Sequence, residues 1–202
     1  MGEPIVTPAG ESLSIERVSK NFGGLAAVKE VSLRVGRGER RGILGPNGAG
    51  KTTLFNLIAG DLSPSAGRIV LDGQDVTRLP NYHRARLGMA RTFQITNLFP
   101  NMSVMDNLLL AAQALDRSKF SMVRPIQGQR RIVGRAERIL EQVKMDDLRD
   151  IRVRELSYGV QRQLEVALAL VEEPKILLLD EPTAGLSPAE SADMVSLLKV
   201  LD

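Results

Sequence analysis

One segment constrains this chain more than any other: Gly45-Pro46-Asn47-Gly48-Ala49-Gly50-Lys51-Thr52, a complete G-x-x-x-x-G-K-[ST] pattern. It follows the short apolar run Gly42-Ile43-Leu44 and opens the stretch Gly50 to Ala59, whose stop signal is Gly60. The reading is strand, glycine loop, helix. Glycines at this spacing let backbone N–H groups curl around phosphate oxygens without side chains in the way, and a helix start adds the positive end of its dipole. In such a loop Lys51 reaches the β- and γ-phosphates and Thr52 ligates Mg²⁺.

A strand–loop–helix unit of this kind belongs in an α/β fold with a mostly parallel sheet, and 202 residues, 43% of them hydrophobic, suffice for a real core. Lys and Arg number 27 against 24 Asp and Glu, a balance of +3 that is too small and too interspersed for a nucleic-acid polycation. Aromatics at 3%, with no Trp, leave few stacking platforms for single strands. No nucleic-acid partner is expected. The absence of cysteine excludes a disulfide framework, cysteine-ligated zinc and a thiol nucleophile. Met1 to Lys20 carries no basic leader followed by an apolar stretch, and runs such as Ile176 to Leu179 are strand-sized, far below the roughly 20 residues of a spanning helix.

Along the chain, a loosely ordered opening over 1–12 precedes two half-exposed strands, Leu13 to Val18 and Val31 to Val35, which predict antiparallel structure first. Gly67 to Leu71 reads as a strand and Asp72-Gly73 as a tight turn leading to Val76. Met89 to Phe93 is a further strand. From Ser103 and Asp106, spaced as a capping pair, the period becomes helical. Ile132, Val133, Ala136, Ile139, Leu140 and Val143 fall on one helix face, and Arg130, Arg131, Arg135 and Arg138 form a basic surface on the other. The expected organisation is a first core part over 13–95 (antiparallel β plus phosphate loop), a helical insertion over 96–156 and a second core part over 157–202. Ser187, Pro188 and Glu190 start the last helix with a capping box, and no stop signal follows before Asp202.

The run Ile176 to Leu179 ends in Asp180-Glu181, at the carboxyl end of a strand, where open α/β sheets bind ligands. Asp180 is placed to hold Mg²⁺ and Glu181 to orient and deprotonate an attacking water. No [NT]-K-x-D segment reads guanine; Val143-Lys144-Met145-Asp146 has Val at its first position. His83, beside Tyr82, Arg84 and Arg86, reads as an exposed helix residue.

From Leu13 onward these residues resemble the ATP-binding cassette proteins that energise membrane transporters. The resemblance implies a P-loop NTPase core with an antiparallel β subdomain and a helical insertion, ATP with Mg²⁺, and a head-to-tail dimer. Gln94 matches the family's Q-loop glutamine, which contacts Mg²⁺ and water. Leu156-Ser157-Tyr158-Gly159-Val160-Gln161 stands at the signature, where Ser157 and the Gly159 backbone contact the γ-phosphate held by the opposite subunit. Phe22 corresponds to the aromatic that stacks on adenine, and Gly45 to Thr52 with Thr53 to the nucleotide-binding loop. Phe22-Gly23-Gly24-Leu25, Ala90-Arg91-Thr92-Phe93-Gln94 and the Tyr158-Gly159 signature are similar to ATPase subunits of branched-chain amino-acid importers. Lipopolysaccharide-export ATPases and soluble cassette regulators are the alternatives, the latter disfavoured by a single phosphate loop and no sustained heptads.

That resemblance implies transmembrane permease partners, an identical or related second ATPase subunit, a periplasmic solute-binding protein acting indirectly, and a place at the cytoplasmic face of the plasma membrane. Met102, Met105, Met122 and Met145 lie in the insertion that receives the permease's coupling helix in the family. Three departures stand out. Tyr158 and Val160 replace the glycine and glutamine of the commonest signature, Ser187 stands where the D-loop often has Asp, and no histidine follows Glu181. A C-terminally truncated cassette is the expectation, with nucleotide binding intact and turnover poor.

Overall fold

The computed structural model describes residues 10–92, 98–114 and 130–200. The chain divides into two compact units, Met1–Met89 and Ala90–Asp202.

In the first unit, β1 (Glu11–Phe22) pairs antiparallel with β2 (Leu25–Gly36) on one side and β3 (Ala66–Leu71) on the other. The sheet order is β2-β1-β3-β4, with β4 at Gln74–Asp75. Asp72 and Gly73, both at positive φ, make the two-residue turn between Leu71 and its partner Gln74, the backbone that a type I′ hairpin requires. Both first strands run longer than their alternating stretches. Register shifts interrupt the pairing after Ile15 and Val18, and Arg17 and Glu30 sit at positive φ, so the period-2 pattern breaks while the ladder continues.

Two expectations need correction here. Glu11 and Ser12, read as loose, already belong to the sheet: Glu11 pairs with Gly36, and the Ser12 carbonyl accepts from the Asp72 N–H. β1 is also not half-exposed at its start, because Ser12 to Ile15 are all buried.

Helix α1 (Lys51–Ala59) buries Leu54, Leu57 and Ile58 and stops at Gly60, whose left-handed backbone donates to the Asn56 carbonyl. The segment before it is not a strand. Gly42-Ile43-Leu44 is irregular, with Leu44 96% exposed. A parallel strand obtains its ladder from neighbours supplied by distant crossovers, and the described part of this unit contains only the antiparallel sheet.

The C-terminal end of α1 is held by α2 (Asn81–Arg86). Arg84, 1% exposed, donates from Nη1 to the Leu57 and Ile58 carbonyls at 2.7 Å each, from Nε to Leu79 O at 2.9 Å and from Nη2 to Thr77 O at 3.2 Å. Burial pulls its guanidinium down to about 10, so it stays charged at neutral pH. α1 has no basic residue in its own last turn, and this cation complements its negative end from outside. His83, next in line, is exposed and lies against Tyr82.

In the second unit β5 (Met89–Arg91) and β6 (Ile176–Leu178) form a two-stranded parallel sheet, Met89 itself lying at the unit boundary. The same unit holds α3 (Val104–Ala114), α4 (Arg130–Gln142), α5 (Tyr158–Leu170) and α6 (Pro188–Lys199), packed on one another. Ser103 and Asp106 cap α3 as their spacing predicts, the Asp106 N–H donating to Ser103 Oγ at 3.0 Å. Ile132, Ala136, Ile139 and Leu140 of α4 join Leu108, Leu164 and Met194 in one core. Each fully buried side chain of this size contributes about 1.5–3 kcal/mol. On the opposite face Arg135 and Arg138 pair with Glu173. Met105 and Met145 are buried in the same core, whereas Met122 lies outside the described residues.

Replacing Arg84 by Met keeps the apolar stem and strands four carbonyls without their donor. The expected loss is about 2–4 kcal/mol, read as a lower urea midpoint at unchanged m-value; stability equal to wild type would contradict the anchoring role.

Candidate functional site

The phosphate loop leads into α1 without a side-chain cap. Gly50 takes the N-cap position at φ 85°, so the first-turn N–H groups are left for water or a ligand. Gly48 is also left-handed, and Ala49 N–H closes onto Pro46 O at 3.2 Å. Gly50 is fixed by space as well as by φ, since a Cβ there would lie 2.2 Å from the Ala27 carbonyl oxygen of β2. Lys51 Nζ donates to Gly45 O at 2.8 Å and Pro46 O at 3.0 Å, holding the cation on the loop. Asn47 and Thr52 are exposed, and Thr53 is half-buried in the first turn. Open N–H groups, an ammonium and a hydroxyl form a donor set that suits polyphosphate.

Phe22 ends β1 as an exposed residue, 48% accessible, with Lys20 Nζ 5.2 Å from its ring centre. It is therefore not a core aromatic.

In the second unit Asp180 and Glu181 stand just past the carboxyl end of β6. β5 runs beside it, Thr92 N–H donating to Leu178 O at 3.0 Å. Arg91, from the end of β5, meets Asp180 at 3.1 Å in a largely buried ion pair. Glu181 is exposed at φ 48°, an uncommon conformation for a side chain of this type, and its carbonyl accepts from Ala184 N–H at 3.0 Å. Asp180 offers a hard oxygen donor of the kind Mg²⁺ takes, and so, in the first unit, does the Thr52 hydroxyl. Gln94 lies outside the described residues.

Ser157 is the N-cap of α5, its Oγ accepting from Val160 N–H at 3.4 Å. Tyr158 is exposed; its hydroxyl accepts from Arg162 Nε at 3.0 Å, and Arg162 is held in turn by Glu165 at 2.8 Å. Gly159 N–H donates to Glu190 Oε1 at 3.2 Å. The Ser187–Glu190 capping box of α6 forms in full. Its backbone and hydroxyl donors, with Gly159 N–H, hold the Glu190 carboxyl below the ordinary range.

Residues 28–184 match a family model described as ABC transporter. The chain belongs to the ABC transporter family of ATP-binding cassettes. This cassette is 40% identical over 194 residues to LivG of Escherichia coli K12, a high-affinity branched-chain amino acid transport ATP-binding protein, covering 94% of this chain and 76% of LivG. BraF of Pseudomonas aeruginosa, of the same description, is 38% identical with the same coverage. Among solved structures, the ADP conformation of MJ1267, an ATP-binding cassette of an ABC transporter, superposes with a TM-score of 0.82 at 34% identity, over 93% of this chain and 75% of that one. The P-loop NTPase fold follows, and this cassette is an ABC-type ATPase subunit of the kind that works with transmembrane permeases. Among the described residues no helix is long and apolar enough to cross a membrane.

Three residues escaped the sequence reading. Arg84 and Arg91 sit in ordinary basic local patterns, and Glu190 was legible only as a helix cap. Their partners lie 26 or 27, 89 and 31 positions away, respectively.

Proposed function

We propose that this cassette binds and hydrolyses Mg-ATP to drive an importer of branched-chain amino acids, peripheral to the cytoplasmic face of the plasma membrane. The observation that carries the nucleotide chemistry is the uncapped N-terminus of α1, with Lys51 on its loop. The likeness to LivG and BraF across nearly the whole chain supports the amino-acid class. Transmembrane permeases are its direct partners, a periplasmic solute-binding protein acts through them, and a second, identical or related cassette completes the ATPase.

Gly45 to Thr53 take the phosphates: backbone N–H groups of Gly48 and Gly50 and of the first turn of α1 donate to the oxygens, and Lys51 spans the β- and γ-phosphates. The Phe22 ring stacks on adenine, a contact worth about 1–3 kcal/mol. Thr52, Asp180 and Gln94 would hold Mg²⁺, which neutralises charge on the phosphates when bound. Arg91 fixes the Asp180 carboxylate in place. Glu181 takes a proton from water as the water oxygen bonds the γ-phosphorus and the bond to the β-phosphate oxygen breaks, releasing ADP and phosphate. Ser157 and the Gly159 N–H act on the nucleotide of the second copy, where developing charge needs donors.

With Lys51→Ala, nucleotide affinity should fall at least about tenfold. With Glu181→Gln, affinity should stay within about twofold while turnover drops on the order of 100-fold or more. Fluorescent-nucleotide titration and phosphate release separate the two effects; full turnover in the glutamine variant would end the general-base assignment. For the importer, reconstitution with the permease and binding protein in liposomes should show ATPase stimulated by leucine, isoleucine or valine. Stimulation by none of them would reject this solute class.

A further inference from the structure

The Glu190 carboxylate joins two helix starts. Oε2 accepts from Ser187 N–H at 2.9 Å and Ser187 Oγ at 2.8 Å, which completes the cap of α6. Oε1 is left over from that cap and accepts from Gly159 N–H, 31 residues away in the first turn of α5. The approach is close enough to dictate the residue opposite: a Cβ on Gly159 would stand 2.5 Å from Glu190 Oε1 and 2.7 Å from its Cδ and Cγ. A second contact runs alongside, where the Tyr158 ring lies against Gly185, 3.4 Å from the place a Cβ would occupy. Tyr158 is itself held by Arg162 and Glu165. One carboxylate therefore faces the positive ends of two helices at once.

We propose that Glu190 is a positioning residue for the signature: through Gly159 it fixes the start of α5 against residues 181–187, so that Ser157 and Gly159 meet the γ-phosphate of a second copy in one register. This rests on the reading of residues 156–161 as a signature that acts across a dimer. A helix cap alone does not require the Gly159 bond, since Ser187 satisfies the box without it. At 3.2 Å the Gly159 bond lies at the long end of the roughly 2.7–3.2 Å range of a backbone N–H donor, which leaves the N–H open to sharing with an incoming phosphate oxygen.

The test uses the intact protein carrying Glu181→Gln to arrest hydrolysis, compared with the same protein bearing Glu190→Ala, Glu190→Gln or Ser187→Ala. ATP-dependent dimerisation is followed by light scattering, and nucleotide affinity by fluorescent-ATP titration. Glu190→Ala should weaken dimerisation about tenfold or more while affinity stays within about twofold. Glu190→Gln, which keeps an acceptor oxygen without the charge, should fall between. Ser187→Ala weakens the cap of α6 but leaves the Gly159 bond, and should dimerise like its parent at a thermal midpoint similar to that of Glu190→Ala. Equal dimerisation of Glu190→Ala and Ser187→Ala would reduce Glu190 to a cap, and tighter dimerisation of Glu190→Ala would make it a competitor of the phosphate; either result overturns the proposal. A parent that binds ATP without dimerising overturns the signature reading and this proposal with it, whereas a parent that does not bind ATP overturns the assignment of the phosphate loop.

Discussion

Everything in the first unit that bears on nucleotide chemistry depends on the unequal treatment of the two ends of α1. At its N-terminus a glycine in left-handed conformation replaces the usual Ser, Thr or Asp cap, so no side chain competes for the first N–H groups. At its C-terminus the opposite holds: Asn56 O accepts from three successive N–H groups, of Gly60, Asp61 and Leu62, and the Leu57 and Ile58 carbonyls are taken by the buried Arg84. Gly60 admits that arginine, because a Cβ there would stand 2.8 Å from Arg84 Nε. The helix is thereby fixed from behind and left open in front, which is the condition for an anion site that costs little reorganisation on binding.

The second unit applies related physics with side chains. The carboxylates of Asp180 and Glu181 follow the short strand β6, whose neighbour β5 contributes Arg91 to Asp180. Glu181 stands at positive φ, a conformation that a turn of this kind must hold against its intrinsic cost. The starts of α5 and α6 are tied by hydrogen bonds that end on Glu190, and that tie gives the Gly159 position a steric reason to be glycine beyond any contact with nucleotide.

Local signals were read well. Each capping box, the Asp72-Gly73 turn, the Gly60 stop and the apolar face of α4 involve residues within a few positions of one another, where propensity and pattern act directly. The phosphate-loop pattern and the acidic pair after β6 are local in sequence in the same way. What escaped was decided at long range. Arg84 resembles its exposed neighbours in sequence, and its burial follows from carbonyls 26 and 27 residues upstream. Strand pairing was legible only in part: β1 and β2 outlast their alternation because bulges shift the register, and Gly42-Ile43-Leu44 has a strand's composition but no ladder in the described structure.

The central claim is that the open N-terminus of α1 receives the phosphates of ATP. Amide hydrogen exchange across residues 48–54, with and without saturating Mg-ATP, measures it at the atoms concerned. The account predicts that the amides of residues 48 and 50–53 slow about tenfold or more when nucleotide binds, because their N–H groups acquire phosphate acceptors, whereas those of Ala49 and Leu54 are already bonded to Pro46 O and Gly50 O. Unchanged exchange across 48–54, with equilibrium dialysis showing nucleotide bound, would place the site elsewhere and contradict it.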